Sequence, residues 1–384
     1  MTTVAYALRC RICEHVESLG PAGACPRCDG PIDVAYDLDA VAAVVSPARV
    51  GDGPPSLWRY ADLLPAVGGD GSPAGWTPLV RADSLSDALG LDVRLKLETA
   101  NSTGSYKDRT AALAGGAAGE LGFDTICCTS TGALGRAVAG EAAAHGREAI
   151  VIAPAGTGGG ARALGAHVIE LEGSWSECRR IERELSQLFP WAFVAGNLNA
   201  YAVEGAKTVA FEIAEQLEWS APDAVVCPIG SGALLAKIAQ GFHELRTVGL
   251  FGGGRPRLVG AQAGNASPVA AAFAADSAVA AGRRGFAELA LGAARASGGA
   301  VVSVPDDEAD ANADDLGATM GAAVDRAGGA AVGALVAARR DGRIRAGERV
   351  VVVVSGTRVP DRVAPSTAAV PADLALVLAA LGVA

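Results

Sequence analysis

Aromatic residues make up only 5% of this 384-residue chain, which also has just 2 methionines and 4 histidines. A core without large rings must be filled by Ala, Val and Leu, and half of the residues are indeed hydrophobic. Such a composition suits close-packed helices over a buried sheet better than a sandwich of short strands. Basic charge is scarce as well: 32 Lys and Arg against 42 Asp and Glu leave a formal net charge of −10. That excludes nucleic acid as a main partner, because neutralising phosphates takes clustered Lys and Arg. No apolar run approaches the length of a membrane span, and the N-terminal MTTVAYALRCRIC lacks a signal-peptide core. No G-x-x-x-x-G-K-[ST] phosphate loop is present. These absences predict a soluble, cytoplasmic protein acting on a small molecule, with no membrane or nucleic-acid partner.

Cysteine is also sparse, yet four of the eight fall in the first 28 residues, as Cys10-x-x-Cys13 and Cys25-x-x-Cys28. Paired knuckles in a cytosolic chain favour a tetrahedral four-cysteine zinc site over disulfides. The gap between the pairs is shorter than the commonest zinc-ribbon spacing, so a ribbon that folds without metal is the competing reading. Cys127, Cys128, Cys178 and Cys227 stand in scattered apolar surroundings and read as small core hydrophobes. His15, His145, His167 and His243 have no catalytic partner nearby in sequence, and no role is assigned to them.

The length allows two compact domains, or one with an appendage. After YDLDAVAAVV, a strand end running into a short helix, residues 51–76 form a Gly/Pro-rich linker interrupted by SLWRYADLLP. From there strands and helices alternate. VRLKL, DTICCTS, EAIVIAP, AVVCPIG, RLVGAQA and RVVVVVSG read as strands, while YKDRTAALAGGAAGELG and GRAVAGEAAAHG read as Ala-rich helices. Continuous apolar strands in this alternation mean an α/β fold whose parallel sheet is covered on both faces. Ligands in such sheets bind at loops leaving the carboxyl ends of the strands. That rule singles out ETANSTGSYKDR, TSTGALG, PIGSGALL and SGTRVPD.

Each loop alone is a weak signal, since most small-residue turns merely make a corner. Together they offer more. TSTG (129–132) and PIGSGA (228–233) both open helices, where free N–H groups and the helix dipole favour anions. Two anion cradles plus one lysine, Lys107, at the head of a helix suit a phosphorylated cofactor, an anionic substrate and a Schiff-base amine. Pyridoxal 5′-phosphate fits that inventory.

The chain resembles threonine synthase and its relatives among the fold-type II, tryptophan-synthase-β-like pyridoxal-phosphate enzymes. The resemblance runs through the N-terminal ribbon with YDLDAV, SLWRYADLLP, WTPLV, NSTGSYKDR, EGAKTVAFEIAEQL, PIGSGALLA and RPRLVGAQA, in the family order. It implies two doubly wound parallel-sheet domains: a zinc-ribbon-like segment (1–40), a large cofactor domain (41–112 and 206–384), and a small mobile domain (113–205). It implies a Schiff base at Lys107, whose freed amine then serves as the base at the substrate's α carbon. Ser130, Thr131 and Gly132 match the substrate-carboxylate loop, and Gly230, Ser231, Gly232 and Ala233 the cofactor-phosphate cradle. Ser355 stands where the family places a Ser or Thr against the pyridine nitrogen, and Cys10, Cys13, Cys25 and Cys28 are the candidate metal ligands. A homodimer is expected from the same likeness. Asp108 and Arg109 are read as bracing the helix behind Lys107, and Glu204 and Lys207 as structural.

The departures are informative. The family's carboxylate loop reads S-[ST]-G-N-T, but here Ala133 and Leu134 follow Gly132. Its N-S-x-N-P-x-R-x-E-G phosphate clamp is replaced by the stretch from Gly196 to Gly205, with Ala202 at the arginine position. Leu234 stands where an Asn is usual, and VDRAGGAA (324–331) replaces an E-P-A-S-A-like segment. Each charge-assisted donor to a phosphate contributes on the order of 1.5–3 kcal/mol. Losing several at once predicts an elimination–replacement enzyme of specialised metabolism, turned away from O-phosphohomoserine toward a less anionic or more apolar side chain. Genuine threonine synthase and a non-catalytic relative are the alternatives. A further one makes the ribbon a mobile docking module.

Overall fold

The computed structural model describes residues 5–65, 72–264, 267–275, 285–358 and 368–383. Its fourteen strands form three sheets. The first is small and antiparallel: β1 (Ala5–Cys10) lies between β2 (Val16–Glu17) and β3 (Ile32–Tyr36). The other strands in chain order are β4 (Leu79–Arg81), β5 (Asp92–Leu97), β6 (Thr125–Thr129), β7 (Glu148–Pro154), β8 (His167–Glu172) and β9 (Ala192–Phe193). They continue with β10 (Ala224–Pro228), β11 (Arg257–Ala263), β12 (Ala300–Val304), β13 (Arg349–Val354) and β14 (Val370–Pro371).

The larger sheet has the order β12-β11-β10-β13-β5-β4, parallel except for β4, which runs antiparallel to β5. The all-parallel expectation therefore fails at one edge: the short connection through the helix Asp83–Leu89 returns the chain antiparallel. β10 is buried along its whole length and β13 along all but its first residue, as their continuous apolar runs require. The chain moves outward from β10 to β11 and β12, then returns with β13 between β10 and β5. This reversal of winding opens a crevice at the carboxyl ends of β10, β13 and β5, where ligands bind in such sheets.

The second sheet has the order β14-β8-β7-β6-β9 and is parallel throughout. Its last strand corrects the expected division of the chain. β14 pairs with β8, and Val377 of the helix Leu374–Ala380 is buried among Ile181, Leu185 and Leu171. The C-terminal segment thus completes the smaller sheet instead of the cofactor domain. Within the Ala/Gly-rich 263–300 stretch, Pro268–Ala274 and Phe286–Ala296 are helical.

Candidate functional site

β5 delivers the chain to the loop containing Lys107, and that loop is stitched to the end of β13. Tyr106 N donates to Ser355 O (3.0 Å), Ser105 Oγ to the same carbonyl (3.2 Å), and Thr357 N to Gly104 O (2.8 Å). Gly104 has φ +79°, and a Cβ there would meet Thr357 Oγ1 at 2.5 Å, so only glycine allows this approach. Lys107 then opens the helix Lys107–Glu120, directly after Tyr106, whose N–H is bonded to Ser355 O. Its Nζ lies 4.7 Å from the Tyr106 ring centroid and has no carboxylate partner among the described residues.

Behind the lysine sits a fully buried charge cluster. Arg109 donates through Nε and Nη2 to the two oxygens of Glu98 (2.7 and 2.8 Å), and through Nη1 and Nη2 to Glu212. Lys96 Nζ donates to Glu212 (2.6 Å), Thr77 O (2.7 Å) and Gln216 (2.9 Å). Burial would raise the Glu212 pKa, but Arg109 and Lys96 outweigh it and hold it down to about 2. Asp108 closes the loop onto the helix, accepting from Thr103 N (2.7 Å) and from the Thr103 hydroxyl. The expected bracing role of Asp108 and Arg109 is what the geometry shows.

The two candidate cradles follow β10 in the larger sheet and β6 in the smaller one. After β10, the N–H groups of Gly230, Ser231 and Gly232 find no acceptor among the described residues, while Ala233 N donates to Ser231 Oγ (3.4 Å). Gly232 has φ +90°, and a Cβ there would strike Phe286 O at 2.5 Å. After β6, buried Ser130 accepts from Gly132 N (3.0 Å) and Gly135 N (2.7 Å), which fixes the start of the helix Ala133–Ala144. The N–H groups of Thr131 and Ala133 stay free of protein acceptors among the described residues. Gly132 takes φ +155°, and Thr131 is exposed at the mouth. Open N–H groups at two helix starts, one lysine and one hydroxyl are the donor chemistry that a phosphorylated pyridine aldehyde and an amino-acid carboxylate call for.

Ser355 Oγ lies 3.5 Å from Asp325 Oδ2, a residue that sequence reasoning passed over. Asp325 caps the helix Arg326–Arg340 by accepting from Gly328 N (2.7 Å). Burial pushes its pKa up to about 6, against the pull of Gly328 N and Ser355. Only its position inside the altered VDRAGGAA segment hinted at it. The positions stripped of polar side chains are apolar in their packing too: Ala202 and Leu234 are buried in hydrophobic clusters.

At the N-terminus the four sulfurs of Cys10, Cys13, Cys25 and Cys28 lie within 4.8 Å of one another, with Cys10–Cys28 at 3.5 Å and Cys13–Cys25 at 3.6 Å. Tetrahedral zinc with Zn–S of about 2.3 Å separates its sulfurs by about 3.8 Å, so the donor set fits. Ile12 N and Arg27 N each donate to a cysteine sulfur, orienting it (3.3 and 3.4 Å). The ribbon is packed on the body, against the mobile docking-module reading. Ala22 N donates to Asn197 O (2.9 Å), Tyr201 bonds Gly20, and Arg11 pairs with Asp33 while stacking on Phe286 (4.5 Å). Tyr36 reaches Glu204 (2.6 Å), which pairs with Lys207 (2.7 Å) and Lys237 in a second buried cluster. Glu204 and Lys207 are structural, as expected. The other four cysteines are fully buried.

Residues 72–356 match the pyridoxal-phosphate dependent enzyme family. Threonine synthase of Methanosarcina acetivorans is 33% identical over 361 residues, covering 88% of this chain and 87% of that protein. Threonine synthase of Mycobacterium tuberculosis is 31% identical, covering 86% and 97%. Among solved structures, maize serine racemase superposes with a TM-score of 0.62 at 21% identity over 74% of this chain and 90% of that one. Threonine deaminase isoform 2 from Solanum lycopersicum gives 0.62 at 21% identity over 80% and 83%. The crevice, its lysine and its cradles thus lie within a matched family region, and the chain belongs to the fold-type II pyridoxal-phosphate dependent enzymes as a threonine-synthase-like member.

Proposed function

We propose that this protein catalyses β- or γ-elimination or replacement on an amino acid, with its specificity moved away from O-phosphohomoserine. Pyridoxal phosphate, held through Lys107, supplies an electron sink for the pair released at the substrate's α carbon. The Lys107 amine is the base placed to take the α proton and return it. The loop of Ser130, Thr131 and Gly132, with the open N–H groups of Thr131 and Ala133, receives the substrate carboxylate, and the open N–H groups of Gly230, Ser231 and Gly232, in the turn closed by Ala233, receive the cofactor phosphate. Ser355 is a hydroxyl partner for the ring nitrogen, one that does not impose a protonated ring. The four cysteines are read as a structural zinc site.

One observation carries the changed specificity: Ala133, Leu134, Ala202 and Leu234 leave no side-chain donors where a phosphate dianion needs them, and two of these positions are sealed in the core. The identity to proteins named threonine synthase supports a second reading, conversion of O-phosphohomoserine to threonine and phosphate. Steady-state turnover of O-phosphohomoserine by the pyridoxal-phosphate-loaded enzyme separates the two. The proposal expects little or no threonine; kcat/KM at the level of about 10⁴ M⁻¹s⁻¹ or above would establish the second reading. A loaded protein that responds to no amino acid would instead be a non-catalytic relative.

A further inference from the structure

The four-cysteine ribbon meets the body directly behind the phosphate cradle, through two contacts that share Asp33. The first starts at Arg11, inside the Cys10–Cys13 knuckle. Arg11 N donates to Pro31 O (2.9 Å) and Ile12 N to Cys10 Sγ (3.3 Å), so this backbone belongs to the metal-ligand turn. The Arg11 guanidinium makes two parallel bonds to Asp33 (2.5 Å each) and lies over the Phe286 ring, 4.5 Å from its centroid. Phe286 opens the helix Phe286–Ala296, and its backbone rests on the cradle. A Cβ on Gly232 would meet Phe286 O at 2.5 Å and Ala287 Cα at 2.8 Å. The second contact comes from β3. Asp33 Oδ1 lies 3.6 Å from Lys237 Nζ, one turn into the helix Ala233–Thr247 that the cradle opens. Lys237 also pairs with Glu204, which accepts from Tyr36 of the same strand (2.6 Å).

Each link in this chain of contacts transmits position. A guanidinium bonded edge-on to a carboxylate and laid on a ring face has a single orientation, and the Arg11 side chain is nearly buried. Gly232 has no room to move toward Phe286, because the two backbones already touch. The N–H groups of the cradle hold a phosphate tightly only when they are fixed pointing together, so whatever fixes Gly232 raises that affinity. At the other end, the cysteine sulfurs are joined to one another only by weak thiol contacts, such as Cys10–Cys28 at 3.5 Å. A tetrahedral metal bonded to all four fixes the knuckle that carries Arg11.

We propose that Arg11 is a positioning residue for the cofactor phosphate, and that through it zinc in the four-cysteine cluster raises the affinity for pyridoxal phosphate. This rests on the reading of the turn after β10 as the phosphate site and of the cysteines as a zinc site. The coupling is reciprocal: the cofactor tightens zinc by the same factor by which zinc tightens the cofactor.

The test compares pyridoxal phosphate with pyridoxal, which lacks the phosphate, on zinc-loaded and chelator-stripped protein. Dissociation constants are read from the cofactor absorbance band for wild type, R11K and R11M. Stripping zinc from wild type, or R11M in zinc-loaded protein, should weaken pyridoxal phosphate at least about fivefold and leave pyridoxal within about twofold. In R11M, stripping should add little further loss. R11K keeps the charge without the two-pronged bond and should lose an intermediate share, and it carries the comparison where R11M does not fold. Zinc affinity, read by competition with a chromophoric chelator, should rise by the same factor when pyridoxal phosphate is added to wild type, and not in R11M. Cofactor affinity indifferent to zinc, or equal weakening of both aldehydes, would overturn the assignment. Equal zinc–cofactor coupling in R11M and wild type would also overturn it, by showing an effect of folding alone. A protein that takes up no zinc would overturn the metal dependence. A zinc-loaded wild type with no cofactor band would overturn the underlying reading of the crevice and the assignment with it.

Discussion

Replacing Arg109 with methionine should destabilise the protein at neutral pH far more than its volume change suggests. Arg109 is fully buried between Glu98 and Glu212, with Lys96 beside them, so the cluster holds two positive and two negative charges. R109M leaves one positive charge facing two buried carboxylates. Glu98 keeps only its bonds from Asn101 Nδ2 (2.9 Å) and Thr77 Oγ1 (2.7 Å). Breaking a buried pair from one side costs roughly 3–5 kcal/mol. A second route agrees: holding Glu212 down to about 2 corresponds to about 3 kcal/mol at pH 7, shared between Arg109 and Lys96. A depressed carboxylate contributes stability above its unfolded pKa and loses it as pH falls toward the folded value. The gap between wild type and R109M should therefore be complete at pH 7 and narrow below about pH 4.5. The double variant E98Q/R109M restores one positive to one negative charge and should recover about half of the loss. The assay is urea unfolding at pH 7 and pH 4, with cofactor retention recorded alongside, because Arg109 orders the loop that carries Lys107. A single variant within about 1 kcal/mol of wild type, or a double variant worse than the single, would refute the reasoning.

Gly232→Ala should lower both the melting temperature and the affinity for pyridoxal phosphate, since a Cβ meets Phe286 O at 2.5 Å in a backbone conformation that costs an L-residue roughly 1–2 kcal/mol; unchanged binding would place the phosphate elsewhere. Purified protein should contain one zinc per chain, and Cys13→Ser or prolonged chelation should lower the melting temperature; metal-free protein of equal stability would favour the ribbon that folds without metal. Asp325 has its pKa raised to about 6, so it contributes stability below its unfolded pKa that is lost as pH rises through about 6. Melting curves of wild type and D325N should diverge across that window, with wild type losing ground to the variant as pH rises; parallel curves would contradict the burial argument.

The parts of this fold that were legible in the sequence are those with long local signals. EAIVIAP and RLVGAQA coincide with β7 and β11 because short, mostly apolar runs end at Pro154 and before Gly264. The four-cysteine cluster was legible because two C-x-x-C pairs stand out locally, and the pairing of β1 with β3 then brings them together. β4, β9 and β14 were not, since two or three residues carry no period and their pairing depends on distant strands. Lys107 could be chosen as the lysine from its loop, but the partners that hold the helix behind it could not. Glu212 lies more than a hundred positions from Arg109, and Lys237 joins Asp33 and Glu204 only through tertiary packing.

The most direct test of the account is the visible absorbance of purified protein with pyridoxal phosphate, alone and during titration with O-phosphohomoserine, with Lys107→Ala as the control. The account predicts a cofactor band that the variant lacks and that O-phosphohomoserine leaves unmoved. A band that persists in Lys107→Ala would contradict the assignment of the lysine, and a band that shifts at low O-phosphohomoserine with release of threonine would contradict the changed specificity.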